Sequence, residues 1–497
     1  MPHPLGVPSS APDQALRALA EFRTAVYRCF GRWADTLFEL VDALAGGGRV
    51  GSVAELTFEP VLRRGHGSVY QALEHGQVHP AAAGTLLAGQ VRPGRVLLLG
   101  VDSSKFPRPD TRYVPDIGMQ YAAERDHTGG SPAVPGWSMQ WACQVGLDTG
   151  PGAASPATGG AGRVRRGSWG LPVDVRRIGT ADNANEVTAA QITDVTTRLH
   201  AAGTATAGVP LVFLLDARYC PIYLTQHRPD SAQLLVRLRS DRVFFARPPA
   251  KQPGTPGRAR KHGPRFALDE PDTWPTPDAE HTTTTSAGAG AGGTVRTRAW
   301  HHYHPEPRQR RKWTGTDIIE GTLIRQDHTT PAGRTQVWWL WWAGPPGSFD
   351  LPMLAEAYQH RYTIEHVFRF AKQDLGWTRH TPLDPDQAER WTWLVALALA
   401  QLHLARPLAA DRRLPWEQPC HPDRLSPRRV RRVFRHTVAA LPTPARAPKP
   451  ARPGPGRPKG STNKNPRTRQ PVIKKGRPAN TGHPKGRNPN ATTKPKT

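Results

Sequence analysis

The chain has 497 residues, enough for two or three domains with a sizeable core. Its 67 basic residues against 40 acidic ones give a formal net charge of +27, which favours a polyanionic partner, with nucleic acid as the default. The 4 cysteines form no Cys-x-x-Cys pair, so we expect neither a zinc site nor a disulfide framework, as in a reducing cytoplasm. The first residues lack the basic and apolar regions of a secretory signal.

The first 94 residues are predicted to form a helical region. Apolar periodicity from 14 to 46 indicates a helix that ends at three consecutive glycines, and a second helical segment spans 53–89. This second segment contains RRGHGSVY, from Arg63 to Tyr70. One interpretation is a helix-turn-helix-like element that reads DNA ends, and the other is a helical bundle that caps the core. No recognition helix rich in Arg and Asn follows, which favours the bundle.

Two apolar strands are predicted to end in aspartate. The run RVLLLGV indicates a strand buried on both faces and is followed by Asp102, and PLVFLL is followed in the same way by Asp216. Between them, residues 139–147 and 169–178 are predicted to form a hairpin of the same sheet, and 183–202 a helix. A lone Asp after a strand is usually a turn residue. Two of them, together with a later Glu, make a set of hard oxygen ligands suited to divalent metal.

Residues 246–315 differ in composition from the segments on either side. After a predicted strand at 233–245, two basic runs, GRARKHGPR and RQRRK, flank the low-complexity stretch TTTTSAGAGAGG. We interpret this segment as an insertion whose basic arms lie along DNA, with an exposed loop of no function as the alternative. Strand character resumes at 317–325 and 336–343. The second of these contains four tryptophans, which is more typical of a core than of base stacking.

The segment from Leu354 to Trp377 is predicted to be one amphipathic helix. An apolar stripe would face the core, and beside it four polar residues would fall within an arc of roughly 60°. These four residues are Tyr358, Arg361, Glu365 and Lys372. The alternative is a solvated helix face with an ordinary Arg-Glu pair. Only 5 lysines precede residue 442, so a Lys at this position indicates a need for a compact ammonium group.

The last part of the chain is strongly basic. The run from Trp391 to Ala405 is predicted to be a buried helix, because it is too short and too polar for a membrane span. No acidic residue follows Asp423, whereas 21 Lys and Arg residues do. A basic helical segment is expected at 411–441, and a disordered tail at 442–497. Two Gly-Arg-Pro repeats, centred on Arg457 and Arg477, resemble AT-hooks, with a tail of merely non-specific basic character as the alternative.

The pattern Tyr-x2-Arg-x3-Glu-x6-Lys at residues 358–372, preceded by Asp102 and Asp216, resembles the insertion-sequence DDE transposases of the Tyr-Arg-Glu-Lys signature class. The resemblance covers residues 96–380. It implies an α/β fold with a retroviral-integrase-like, RNase H-like mixed sheet and flanking helices, interrupted by a β-rich insertion between the second Asp and the Glu. The low-complexity content of the insertion and the long basic tail depart from the family pattern.

This resemblance also implies an activity, namely metal-dependent cleavage of DNA at the ends of an insertion sequence and strand transfer into target DNA. Asp102, Asp216 and Glu365 would hold two Mg²⁺ (or Mn²⁺) ions, with Asp102 shared between them. Arg361 and Lys372 would neutralise phosphates beside the scissile bond. Further DNA contacts are expected from the residues Tyr358, which would position the DNA backbone, Lys105, Arg457 and Arg477.

The expected partners are the double-stranded DNA of the element ends and of the target, held by a homodimer, with no membrane involved. The expected location is the cytoplasm, in association with the nucleoid. Two alternatives stay open. One is an RNase H-fold nuclease without strand transfer, and the other is an inactive transposase relic that only binds DNA.

The sequence therefore predicts six segments. They are an N-terminal helical region (1–94), a first part of the catalytic core (95–245), the insertion (246–315), a second part of the core (316–410), a basic helical segment (411–441) and the basic tail (442–497).

Overall fold

The structure, a computed structural model, shows a mixed α/β fold. It describes residues 11–109, 113–121, 133–147, 168–250, 256, 260–287, 290–306, 318–450, 460–461 and 468–473. Three predictions lie outside these ranges: the AT-hook-like repeats at Arg457 and Arg477, the basic arm at 308–312, and the excursion that joins the two strands of the predicted hairpin.

Helices come first along the chain. They are α1 (Ala11–Arg28), α2 (Ala34–Gly46), α3 (His66–His75) and α4 (Pro80–Ala88). The predicted helix over 14–46 is divided into α1 and α2, and Trp33 at the division has the left-handed backbone conformation that L-residues rarely adopt (φ 64°). Helix α2 is buried along most of its length and contacts α3. The N-terminal helices thus pack on one another, and whether this region also contacts DNA stays a prediction.

The first half of the sheet carries the two predicted aspartate strands. Its elements are β1 (Leu97–Pro107), β2 (Gly118–Tyr121), β3 (Ala133–Gln144), β4 (Leu171–Ile178), α5 (Ala184–Ala201), β5 (Leu211–Leu215), α6 (Pro221–His227) and β6 (Ala232–Leu238). Strand β3 pairs antiparallel with β1, β2 and β4, so the predicted hairpin of β3 and β4 is present. Strands β1, β5 and β6 are parallel neighbours in that order.

The second half of the sheet extends the first without a break. Its strands are β7 (Val243–Ala246), β8 (Arg265–Ala267), β9 (Ala279–Ala287), β10 (Gly290–His304), β11 (Gly321–Thr329) and β12 (Thr335–Ala343). Strand β12 pairs with β6, and the order continues through β11, β10, β7 and β8, so the described strands form one 12-stranded sheet. The predicted strand 233–245 is therefore two strands, β6 and β7, which lie at different places in the sheet. The low-complexity stretch belongs largely to the β9–β10 hairpin.

The prediction of one continuous helix from Leu354 to Trp377 is wrong. The structure has α7 (Leu351–Ala357), one 3₁₀ segment (Tyr358–Tyr362) and α8 (Thr363–Gln373). The apolar stripe is nevertheless buried along its whole length, including Leu375 beyond the end of α8. Residues of the 3₁₀ segment, Tyr358 and His360, are buried by tertiary contacts, and these contacts outweigh the local 3.6-residue period.

Helix α9 (Pro385–Ala405) lies at the centre of the helical layer, with almost every side chain buried. It contacts β4 of the sheet, the helices α1 and α2, and the basic helix α10 (Pro427–Ala439). One hydrophobic core consequently runs from Leu19 in α1 to Ala445 beyond α10. Among the described helices, none is long and apolar enough to cross a membrane.

The predicted disorder from Pro442 onward does not hold for residues 442–450. Ala445 is 5% exposed, and the backbone N–H of Arg446 donates to Asp35 at 3.0 Å. Further along, Ile473 forms an isolated bridge with Gly118 at the edge of the sheet. These backbone groups find partners on folded elements, so the basic composition of the tail did not decide its conformation.

Candidate active site

Asp102 and Asp216 occupy matching positions on neighbouring parallel strands. The register of β1 and β5 ends at the pair Val101 and Leu215, and each aspartate is the next residue. Neighbouring strands lie about 4.8 Å apart, so the two side chains begin close together. Asp216 follows the end of β5 as predicted, whereas Asp102 lies inside β1, which continues to Pro107.

Arg218 connects the two aspartates. Its Nη2 donates to Asp102 Oδ1 at 2.6 Å, and its Nε donates to Asp216 Oδ2 at 2.8 Å. Its backbone N–H also donates to Asp216 Oδ1 at 2.9 Å, the local bond of an Asx-turn. The Arg218 side chain is 62% exposed, so this guanidinium joins the carboxylates at the surface of the site.

Arg361 connects Asp102 to Glu365. Its Nη1 donates to Asp102 Oδ2 at 3.4 Å and its Nη2 donates to Glu365 Oε1 at 3.0 Å. The packing of α8 on β3 places this pair beside Asp102, because Trp141 is the partner of Asp102 in the β1–β3 register and makes an edge contact with Phe368 of α8. Two arginines therefore connect three carboxylates that are remote in sequence.

Burial is the main influence on the charge of Asp102. Burial, followed by the nearby Asp216 carboxylate, raises the pKa of this carboxyl, and the net value is about 6. The guanidiniums of Arg218 and Arg361 act in the opposite direction, because they stabilise the ionised form. Asp102 is therefore a carboxylate that needs neighbouring cations to stay ionised.

The donor set of the site suits a hard divalent cation in its chemistry, because all three candidate ligands are carboxylates. The Arg218 guanidinium bridges Asp102 and Asp216, which shows that one positive group can contact both carboxylates. These two residues therefore fit a divalent metal ion. Glu365 is instead bonded to Arg361. Within the part of the chain that the structure describes, no three His, Cys, Asp or Glu side chains are gathered closely enough to hold a metal ion. The predicted gathering of three carboxylates is thus interrupted by arginine side chains.

Tyr358 does not have the surface position that a contact to the DNA backbone requires. It is 3% exposed, and its hydroxyl donates to the backbone carbonyl of Leu215 at 3.2 Å. Burial raises the pKa of Tyr358, so the phenol stays neutral. The predicted role in positioning DNA is corrected by this geometry: Tyr358 positions the end of β5, one residue before Asp216.

The two candidate lysines lie on a different strand face or helix turn from the carboxylate of the same element. Lys105 is three residues beyond Asp102 on β1, and strand alternation directs the two side chains to opposite faces of the sheet. Lys372 is in the last turn of α8, whereas Glu365 is in its first turn. Both lysines are half-buried.

Arg218 and Tyr219 are site residues that the sequence did not predict. The only sequence signal for Arg218 is its place two residues after Asp216, where an Asx-turn brings the side chain back. Tyr219 is buried and donates its hydroxyl to Gln140 Oε1 at 3.0 Å. Gln140 in turn donates to Gln191 of α5. This buried polar network supports the loop after Asp216, and no spacing in the sequence indicated it.

A protein-family model described as DDE superfamily endonuclease matches residues 25–307. The matched range covers more than half of the 497 residues and includes Asp102 and Asp216. The chain belongs to the DDE superfamily endonucleases.

Membership has three consequences for this DDE endonuclease. The family consists of nuclease and transposase enzymes, its substrate is DNA, and its members generally use divalent metals. The matched range ends before Glu365, so the third carboxylate rests on the geometry described above. No curated protein matches the chain.

Proposed function

We propose that this DDE endonuclease is a transposase that cuts DNA at the ends of an insertion sequence and transfers the cut strands into target DNA. The observation that carries the proposal is that Arg218 joins Asp102 to Asp216 and Arg361 joins Asp102 to Glu365. Structural ion pairs alone do not require two buried or half-buried carboxylates at matching ends of parallel strands. The signature class with Tyr358, Arg361, Glu365 and Lys372 is part of the proposal.

An RNase H-like core is the fold that we propose for the catalytic part. Its support is the strand order β4-β3-β1-β5-β6, in which three antiparallel strands are followed by two parallel ones. Helix α5 connects β4 to β5, and α8 packs on β1 beside Asp102. Strands β7 to β12 would then be the insertion between Asp216 and Glu365, and they would extend the core sheet rather than form a separate unit.

Asp102, Asp216 and Glu365 would hold the divalent metal, proposed to be two Mg²⁺ or Mn²⁺ ions. When bound, these ions supply Lewis-acid stabilisation of the attacking and leaving oxygens of a phosphodiester. Arg218 and Arg361 neutralise the carboxylates before DNA arrives, and they turn toward backbone phosphates when the carboxylates take up their ligand. Their guanidiniums remain charged throughout, because burial does not bring the pKa of either below its usual range.

The DNA would be double-stranded and would run from the carboxylates toward Lys372 at the far end of α8. Two element ends must be held together for strand transfer, so we propose a homodimer on DNA. The excess positive charge of the chain would draw DNA to this surface and make binding dependent on salt. An association with the nucleoid follows from this proposed affinity for DNA.

The decisive experiment compares Glu365→Gln and Asp102→Asn with the unchanged protein in Mg²⁺-dependent cleavage of DNA that carries the ends of the element. We expect each substitution to lower the cleavage rate by about 100-fold or more, while DNA affinity changes little. Glu74→Gln is the matched control, because Glu74 is exposed on α3. Unchanged cleavage by Glu365→Gln would refute the proposed role of this carboxylate.

The products of the same reaction test the two alternatives. Joined strands between element ends and target indicate a transposase, whereas cut DNA without joining indicates a nuclease of the same fold. An unchanged protein that binds DNA but does not cut it would be an inactive relic.

A further inference from the structure

A cavity of about 630 Å³ lies at the opposite end of α8 from Glu365. The carboxyl-terminal ends of α2 and α8 form two of its sides, and the basic face of α10 forms a third. Arginines dominate its lining: Arg49, Arg428, Arg431, Arg432 and Arg435, with Asp374 as the acidic residue among the lining side chains. Helix α10 presents its apolar residues, such as Val430 and Phe434, to the core, and four of its five arginines line this cavity.

Two of the five arginines are neutralised by ion pairs. Arg428 forms a bidentate pair with Asp374, with both distances 2.8 Å, and Arg432 is paired with Glu417. The other three, Arg49, Arg431 and Arg435, form no ion pair within 4.0 Å in the part of the chain that the structure describes, although the Asp374 and Glu59 carboxylates are near enough to Arg431 to raise its pKa. The cavity therefore has a positive charge that the surrounding protein does not balance.

Arg431 is the most informative of these residues. It is 4% exposed, and its Nε donates to the backbone carbonyl of Leu44 in the last turn of α2 at 3.0 Å. Its Nη2 is buried without a hydrogen-bond partner in the described part of the chain. Burial lowers the pKa of Arg431 to about 10, so the side chain is still charged at neutral pH. A buried, charged donor without a partner is unfavourable unless an anion completes the site.

The carbonyl groups at the helix ends accept from only some of the N–H donors of these arginines. Arg431 Nε caps α2, and Arg49 Nε donates in the same way to the carbonyl of Gln373 at the end of α8, at 3.2 Å. A guanidinium has five N–H donors, and these caps leave the Nη groups unused. Paired Nη groups are the usual donors to phosphate oxygens.

We propose that this cavity binds a phosphate group, and that the group belongs to the backbone of the DNA strand cut at the carboxylates. Its distance from the site supports the assignment. Glu365 and Gln373 are eight positions apart on α8, which is about 12 Å along the helix, or three to four base-pair steps of about 3.4 Å. The inference rests on the proposed function, because the scissile bond must lie at Glu365. The role of the cavity would be to hold the flanking duplex at a fixed distance from the scissile bond.

The test uses the full chain with Arg49→Gln and Arg435→Gln combined, since both residues are exposed and neither is buried as Arg431 is. Arg32→Gln combined with Arg334→Gln is the matched control, because these residues are exposed, remove the same charge and do not line the cavity. One arm measures affinity for duplex DNA over a range of salt concentrations in EDTA. The other measures the rise in thermal unfolding midpoint caused by inorganic phosphate relative to chloride at equal ionic strength.

We expect the cavity variant to bind DNA about ten-fold more weakly than the control, and the slope of log affinity against log salt to fall by about 1 to 2. We also expect it to lose the stabilisation by inorganic phosphate that the control keeps. Equal behaviour of the two variants in both arms would overturn the site. Loss of phosphate stabilisation alone would overturn the assignment to DNA in favour of free phosphate. Neither arm needs cleavage, so failure here is distinct from failure of the proposed function.

Discussion

Tyr358 shows how one side chain can connect two distant parts of the site. Its hydroxyl donates to the carbonyl of Leu215, the residue before Asp216. Arg361 follows in the same 3₁₀ segment, and Glu365 follows in the first turn of α8. The bond therefore fixes the segment that carries Glu365 against the strand end that carries Asp216. A residue of the signature pattern is in this way structural rather than a surface contact to DNA.

Tyr358→Phe is expected to lower the free energy of unfolding by about 1 to 2 kcal/mol, because it leaves a buried carbonyl without its donor. DNA cleavage should fall with it, whereas DNA affinity and its dependence on salt should not change. Urea unfolding and binding measurements on the same protein check these expectations. Tyr113→Phe is the control, since Tyr113 is exposed. Weaker DNA binding with unchanged stability would instead restore a direct contact to DNA.

Helix α9 contains a buried histidine that carries no charge in the folded protein. His403 is fully buried beside Trp169, and burial, assisted by Arg92 and Arg406, lowers its pKa to about 3. The unfolded chain binds this proton with a pKa of about 6.5. Between these values the unfolded state takes up a proton that the folded state excludes, so the contribution of His403 to stability falls as pH decreases below about 6.5.

His403→Leu is expected to lower the number of protons taken up on unfolding below pH 6.5 by about one. Relative to the unchanged protein, the variant should gain about 2 kcal/mol between pH 7.5 and pH 5, since each pH unit below 6.5 is worth about 1.4 kcal/mol. Urea unfolding at the two pH values gives the difference directly. His66→Leu, at an exposed position of α3, should show no such gain. A slope that is the same in both variants would mean that His403 is protonated in the folded state.

At the scale of the whole molecule, residues 442–446 at the start of the tail pack against the helices α1 and α2 and the segment before α3. Arg23 Nη1 donates to the carbonyl of Pro442, Arg63 Nη2 to that of Ala445, and Arg64 Nη2 to that of Arg446. The backbone N–H of Arg446 returns a bond to Asp35. Segments from both ends of the sequence therefore share one layer and one core.

Two truncations separate this packing from the charge of the tail. Ending the chain after Leu441 removes these four hydrogen bonds and a fifth one, from Arg63 Nη2 to the carbonyl of Arg446. It also removes the two backbone bonds that Ile473 makes with Ile117 and Met119, so it should lower the free energy of unfolding by about 7 kcal/mol, at about 1 kcal/mol for each bond. Ending the chain after Pro450 removes only the two bonds of Ile473 and should lower the free energy of unfolding by about 2 kcal/mol. Both truncations remove most of the basic tail, so both should bind DNA more weakly. Equal stability of the two truncated proteins would show that residues 442–450 do not contribute to the fold.

Local sequence patterns were sufficient to predict several strands and helices. The continuous apolar runs before Asp102 and Asp216 predicted β1 and β5, and the apolar run at 391–405 predicted the larger part of α9. Residues 183–202 were likewise predicted as a helix, which is α5. The breaks were missed at Trp33, between β6 and β7, and at the 3₁₀ segment before α8. These breaks depend on burial and pairing with residues that are far away in the sequence, which local periodicity does not contain.

The sequence by itself determined which acidic residues follow the two apolar strands or lie on the later helical region, and it determined the strong positive charge that favours DNA. Only the tertiary structure decided that Arg218 and Arg361 lie between the carboxylates, that Tyr358 faces inward, and that five arginines line one cavity at the end of α8. The physical reason is that side-chain partners are chosen by distance and burial in space. Composition and spacing specify which groups are present, whereas the packing of α8 and α10 specifies which of them meet.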